Sequence, residues 1–227
     1  SGGLTAVVTT RIEPGAKDYV WRRPILRISV SDQGTEAFGT QEPVLEYDGK
    51  WAGPGRPWWL LELVELDDAN DGPEVLFSES SGGNACCVST IVFSQDSTGI
   101  WQTIDVGEFY TPLPFGAEAL PGSDGYVMTT IDGRFARFGE CGACWRAPRL
   151  IFAIESGQVV DVSARPSFAP LFREDARRLK EEMVDLESGH WGFWAAYVAT
   201  KARAGEFDEA WEEMLASTEF PSSAPGF

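Results

Sequence analysis

Histidine is almost absent: His190 is the only one in 227 residues. One imidazole excludes zinc sites built on histidines. Any Ser-His-Asp or Cys-His scheme would have to use this single residue. It falls between two predicted helices beside Trp191 and reads as a helix-end or packing residue. Glycine-rich phosphate loops of the P-loop or dinucleotide type are also missing. No apolar run approaches the ~20 residues that span a bilayer. The longest are strand-like, such as Trp58-Trp59-Leu60-Leu61. Basic residues are scarce, with 18 Lys and Arg against 35 Asp and Glu and a net charge of −17. A surface this negative repels phosphate backbones and anionic headgroups, so neither nucleic acid nor a membrane surface is an expected partner. An unknown protein or a glycan remains, although the charge also serves plain solubility.

What is present describes a folded protein. The 43% hydrophobic and 12% aromatic content is that of a globular chain, and nine tryptophans are many for this length. The length allows one large domain or two small ones and buries roughly 70% of the unfolded surface. Four cysteines form two close pairs, Cys86-Cys87 and Cys141-Gly-Ala-Cys144. An even, clustered set in an acidic, lysine-poor chain points to an oxidising compartment and to disulfides. The expected location is therefore periplasmic or secreted. Ser1-Gly2-Gly3 reads as an added remnant, which fits removal of an upstream export signal. Three disulfide connectivities are open. A four-thiolate zinc site and a redox role for Cys141 and Cys144 are the competing readings.

Residues 4 to 165 read as strands and turns. Leu4–Ile12, Ile25–Ser31, Trp58–Leu66, Glu74–Ser78, Val88–Phe93, Ile100–Val106, Tyr126–Ile131, Arg149–Ile154 and Val159–Val162 are rich in β-branched and aromatic residues. Gly, Pro, Asp and Asn punctuate the gaps. In Leu61-Glu62-Leu63-Val64-Glu65-Leu66 apolar and polar residues nearly alternate, as a half-buried strand requires. From Pro170 the period becomes helical. Phe172, Ala176, Leu179, Met183 and Leu186 form one stripe. Trp191, Trp194, Ala195, Val198 and Ala202 form a second, ended by Gly205. Phe207, Ala210, Trp211, Met214 and Leu215 form a third. Ala195 to Trp211 looks like half of a tetratricopeptide-type hairpin, but one hairpin makes no solenoid.

Residues 73–106 run strand, Gly/Cys loop, strand, Gly turn, strand. Residues 134–163 repeat the plan, with Arg134-Phe-Ala-Arg-Phe138 as the first strand, and an Asp-Gly turn precedes each. Leu66-Asp-Asp-Ala-Asn-Asp-Gly-Pro-Glu-Val-Leu-Phe77 and the Ser81-Gly-Gly-Asn-Ala-Cys-Cys87 loop then resemble FG-GAP or VCBS-type repeats of exported bacterial proteins. Asp132-Gly-Arg-Phe135, Pro148-Arg-Leu-Ile-Phe152 and Gly157-Gln-Val-Val-Asp-Val162 are similar to the second unit of such proteins. The resemblance covers about residues 58–168. It implies propeller-blade-like sheets and export, and no reaction.

The expected fold is mainly β: antiparallel blade-like meanders, as a small or incomplete propeller or a sandwich, with a C-terminal α-helical segment. The expected division is a β-rich domain over 1–168, holding units at 58–106 and 126–163, and a helical segment over 169–227 packed on it. The cluster Asp67, Asp68, Asn70, Asp71 and Glu74 offers oxygens of the kind that calcium takes six to eight of, and otherwise a solvated turn. Apart from calcium no cofactor is expected. Trp51, Trp58, Trp59 and Trp101 offer faces for sugar rings, or core filling. These features favour an exported, non-enzymatic binding or interaction protein, with an exposed apolar patch as its signature. The alternatives are a carboxylate-based glycan hydrolase and a metal-stabilised structural domain.

Overall fold

The structure is a computed structural model that describes residues 3–14, 20–31, 45–48, 59–70, 72–80, 87–96, 98–109, 116–138, 146–184 and 191–217. The chain divides into two compact units. One comprises residues 1–118 and 153–160, the other 119–152 and 161–227.

The first unit opens with β1 (Gly3–Pro14), β2 (Val20–Ser31) and β3 (Leu45–Asp48), hydrogen-bonded in that order. β1 and β2 pair antiparallel from Gly3↔Ser31 to Pro14↔Val20. β2 therefore starts well before the predicted Ile25 and runs through Pro24. β3 pairs only with Ile25 to Ile28. At Pro24 the strand has one neighbour, the edge setting that proline tolerates.

A four-stranded antiparallel meander follows: β4 (Trp59–Val64), β5 (Glu74–Ser80), β6 (Val88–Gln95) and β7 (Trp101–Phe109). All seven residues of β5 are buried, so this central strand is covered on both faces. On one face Val75, Phe77, Ile91 and Phe93 form a core against which Trp59, Leu61, Trp101 and Ala6 of β1 pack. The register explains the grouping, because Val75 lies opposite Phe93 and Phe77 opposite Ile91. Each large side chain buried there contributes about 1.5–3 kcal/mol. The other face is partly polar, and the Ser78 and Thr90 hydroxyls satisfy each other at 2.9 Å. Beside Thr90 the ladder slips: Thr90 pairs with Gly107 but Ile91 with Asp105, which leaves Val106 as the extra residue of a bulge. Gly107 supports it with a φ of 129°, a value that L side chains rarely adopt. In the edge strand β4 the expected alternation is blurred, for Leu63 is exposed and Glu62 half-buried.

A second four-stranded sheet has the order β11-β10-β9-β8, from β8 (Ala117–Ala119), β9 (Tyr126–Ile131), β10 (Arg149–Glu155) and β11 (Gln158–Asp161). The fold is thus mainly β with helices at the C-terminal end, as expected. One predicted strand is corrected. Residues Gly133–Phe138 form a 3-10 helix. Asp132 is the cause: its carboxylate accepts the Arg134 N–H at 3.2 Å and its carbonyl accepts the Phe135 N–H at 3.0 Å. This local capping draws the backbone out of extension. The second copy of the strand-loop-strand plan therefore lacks its first strand.

Among the described residues three α-helices follow: α1 (Ala169–Val184), α2 (Trp191–Arg203) and α3 (Phe207–Ala216). On α1 the predicted stripe is the buried face, with Phe172, Ala176 and Leu179 inside and Met183 half-buried; Leu186 lies outside the described residues. On α2 the predicted stripe was too narrow. Phe193, Ala196, Tyr197 and Thr200 are buried as well, while Ala202 is exposed. The reason is that α2 contacts both α1 and α3. It contributes to two clusters, one with Ala176, Ala210 and Met214 and one with Leu179. Gly205, at φ 81°, ends α2: the Glu206 N–H donates to the Lys201 carbonyl and the Gly205 N–H to the Ala202 carbonyl. This is the six-to-one and five-to-two closure that a left-handed residue permits.

Candidate functional site

The acidic cluster of the first unit is a hydrogen-bonded knot. Glu74 is fully buried. Its Oε2 accepts the N–H groups of Leu66 at 2.6 Å and Asp67 at 3.3 Å. Its Oε1 accepts Asn70 Nδ2 at 2.5 Å and the Ser94 hydroxyl at 3.1 Å. Asp67 Oδ1 takes the N–H groups of Ala69 and Ser156, and Oδ2 that of Gly157 at 2.6 Å. Asn70 Oδ1 caps the Gly72 N–H. Asp68 is exposed and Asp71 lies outside the described residues. The concentrated negative charge is felt next door. Burial first, then the charges of Glu74, Asp67 and Asp68, raise the Glu65 carboxyl above the ordinary carboxylate range.

Cys87 is disulfide-bonded. Cys86, Cys141, Cys144 and His190 lie outside the described residues, as do Trp51 and Trp58. Trp59 and Trp101, two of the four tryptophans read as sugar platforms, pack against the core of the first unit.

The second unit contains a cavity of about 390 Å³. Thr129, Thr130 and Ile131 of β9 and Ala147 to Arg149 at the start of β10 form one wall. Asp175, Arg178, Leu179 and Glu182 of α1 form another, with Thr200 of α2 at the side. Its charges are paired within the unit. Arg149 grips Asp175 with two bonds of 3.0 and 3.3 Å. Arg178 reaches Glu174 at 3.0 Å and Arg146 reaches Glu182 at 2.7 Å.

The helices are anchored by a buried charge group that sequence reasoning missed. Asp132 has a side chain only 2% exposed, and Arg203 at the end of α2 is 15% exposed. Arg203 Nη2 reaches Asp132 Oδ2 at 3.2 Å, and its Nη1 donates to the Arg149 carbonyl. Arg134 grips the same carboxylate with bonds of 2.7 and 2.5 Å. Burial opposes the charge on Asp132, but the Arg134 hydrogen bonds and the two guanidinium charges outweigh it and hold the carboxyl below its ordinary range. The signal was the Asp132-Gly-Arg134 turn itself, which was read only as a repeat marker.

On this anchored support α3 presents an unusual face. Its inner side is Ala210 and Met214. Glu213 ties it down, accepting Tyr197 Oη at 2.6 Å and pairing with Lys180. Burial, then the bond to Glu213 and the nearby acidic charges, raise the Tyr197 phenol well above its usual value. The other predicted stripe members remain outside: Phe207 is 48% exposed, Trp211 44% and Leu215 58%. They recur every four residues and so share one face. The Phe207 and Trp211 rings stack, with centroids 5.8 Å apart and planes at 21°.

Residues 172–225, which include most of this helical triplet, match the protein family described as the sll0997 C-terminal domain. The chain is 40% identical over 165 residues to the "Probable thylakoid lumen protein sll0997" of Synechocystis sp. (strain ATCC 27184 / PCC 6803 / Kazusa), an alignment covering 70% of this chain and 48% of that protein. It is 24% identical over 168 residues to the "Uncharacterized protein y4bJ" of Sinorhizobium fredii (strain NBRC 101917 / NGR234), covering 73% of this chain and 26% of that protein. The chain thus spans half or less of the length of these relatives. No solved structure matches. The thylakoid lumen lies topologically outside the cytoplasm, as the periplasm does, in agreement with the exported location expected from the cysteines. No helix of the described residues is long and apolar enough to cross a membrane.

Proposed function

We propose that this chain is an exported, non-enzymatic interaction protein that meets a protein partner through the outer face of α3. The observation that carries this is the stacked Phe207–Trp211 pair with Leu215, left in solvent on a helix whose inner face is already packed. Large apolar side chains gathered on one exposed face mark contact surfaces. Covering them would return about 1.5–3 kcal/mol for each side chain fully buried. The match of residues 172–225 to a C-terminal domain family supports treating the helices as the module that carries the activity. The two cysteine loops belong to the same reading, as disulfides of an exported chain. The likeness of residues 58–168 to FG-GAP or VCBS units supports reading the β4–β7 meander as a blade-like unit of an exported chain.

The test is site-specific photo-crosslinking. A photoreactive residue is placed at Glu212 on α3 and, as control, at Asp105 on β7, and the protein is exposed to the exported fraction of its source cells. A defined adduct formed from α3, absent from β7 and lost in Trp211→Ser, is the expected result. Equal labelling from both positions would discard the reading.

A further inference from the structure

The partner of this face has a definable chemistry. We infer that α3 binds a basic amphipathic helix, laid along Phe207, Trp211 and Leu215 with its cationic residues over Asp208 and Glu212. The inference rests on the reading of α3 as a contact face and adds the class of partner.

Three observations carry it. First, the stripe is a single helix face repeating every four residues across about 12 Å, about eight steps of 1.5 Å. A helix offering apolar residues at i, i+3, i+4 and i+7 matches that footprint. Second, the stripe has an acidic border. The helix Phe207–Ala216 holds four acidic residues and no basic one. Glu213 points inward to Lys180 and Tyr197, and Glu209 is shared with Lys201. Asp208 and Glu212 are exposed and have no ion-pair partner among the described residues. At 100° per residue they follow Phe207, Trp211 and Leu215 on the side away from the buried Ala210 and Met214. Third, the alternatives are repelled. A second copy would bring an identical acidic ridge and another charge of −17 to the contact. Anionic lipid fails for the same reason. A cationic helix gains from that field, and an arginine set over the Trp211 face adds a cation–π contact.

The test uses the full chain and three labelled synthetic peptides of about 18 residues, long enough to hold a helix. One is amphipathic with Lys and Arg beside a Leu face. The second keeps the Leu face and replaces the cations with Glu. The third has the composition of the first, scrambled so that no apolar face exists. Binding is read by fluorescence anisotropy from about 20 to about 300 mM salt, which shortens the screening length several-fold. The basic amphipathic peptide is expected to bind, the other two at least about tenfold more weakly, the ratio that a single anchor residue commonly commands. Trp211→Ala is expected to weaken it by about the same factor, and Trp211→Phe to restore most of the loss. The Asp208→Asn, Glu212→Gln double variant is expected to lower affinity at low salt only and to flatten the salt dependence.

Equal binding of the acidic peptide would overturn the charge of the partner and leave the contact face standing. Binding of the scrambled peptide as tight as the amphipathic one would reduce the effect to bulk charge and overturn the helix. Indifference of all three peptides to Trp211→Ala would remove the inference and the contact face together. Self-association that Trp211→Ala abolishes would assign the face to a second copy and overturn the basic partner.

Discussion

Gly157 donates its backbone N–H to Asp67 Oδ2 across 2.6 Å, although 90 positions separate the two residues in the chain. Asp67 also accepts the Ser156 N–H, and Ser156 and Gly157 both have positive φ, 52° and 73°. One buried aspartate therefore closes the turn between β10 and β11 while capping its own turn at Ala69. Replacing Asp67 by Ala leaves those amides without their acceptor. The expected loss is about 1–3 kcal/mol of unfolding free energy. Asp68→Ala, one position on and exposed, is expected to stay within about 0.5 kcal/mol. Urea unfolding of the two variants checks the contrast, and equal losses would show that charge in the cluster matters more than the bonds.

The same bonds govern calcium. Glu74 and Asp67 already accept seven N–H or O–H contacts between them. A calcium ion would need these oxygens released, and the donors would then be stranded. The expectation is that millimolar calcium leaves the melting temperature unchanged and that Glu74→Gln is destabilising with or without it. Ligand linkage would make tight binding visible, since a ligand at a hundred times its Kd adds about 2.7 kcal/mol. A calcium-dependent rise that Glu74→Gln abolishes would reinstate the ion.

What could be read in advance follows from what periodicity reports. Long segments with strong β character, such as Val88–Gln95 and Tyr126–Ile131, stand where their residues placed them. Leu45–Asp48 and Ala117–Ala119 are too short to carry a period and were passed over. Arg134-Phe-Ala-Arg-Phe138 reads as a strand only through the repeated strand-loop-strand plan, but the capping carboxylate of Asp132 decides its shape, and a pattern of polarity does not register a cap. The α3 stripe shows the limit best. Five apolar residues gave a face wider than one neighbouring surface covers, and packing chose Ala210 and Met214 for the inside. Which part of a wide face remains outside depends on the neighbour α2, not on α3 alone. The acidic cluster was legible as a cluster; its donors, which lie as far away as Ser94 and Gly157, were not.

The Asp132 group gives a pH prediction with a definite sign. Its carboxyl is held below the ordinary range in the folded state. Its stabilisation is therefore fully present above about pH 4, the unfolded value, and is lost as pH falls through the lower folded value. Asp132→Asn leaves Arg203 without its buried anion and is expected to cost about 3 kcal/mol near neutrality. The gap between variant and wild type should narrow below about pH 4. A gap that stays constant down to pH 2 would mean that packing, not charge, is lost in the variant.

Surface and core positions of α3 separate cleanly by stability. Met214→Ala opens a cavity in the cluster with Trp194, Tyr197 and Val198 and is expected to cost about 2–5 kcal/mol. Trp211→Ala removes an exposed stacked ring and is expected to cost at most about 1 kcal/mol. Thermal unfolding of both is sufficient. A large loss in Trp211→Ala would make the ring structural and withdraw it from any partner.

Export makes its own demand on the cysteines. Cys87 is bonded and leads directly into β6, whose first residue Val88 pairs with Ser80. A bond at the loop end of that hairpin persists in an oxidising compartment, whereas the cytosolic glutathione pool reduces accessible disulfides. Protein recovered from an exported fraction without reductant is expected to label at none of its four cysteines when denatured, and at all four after reduction. Labelling that appears on adding a chelator alone would instead reveal thiolates held by zinc, since metal release frees them without any electron transfer. Four reactive thiols at the outset would contradict both the bond at Cys87 and the compartment inferred from it. Two would keep the bond and confine it to one pair.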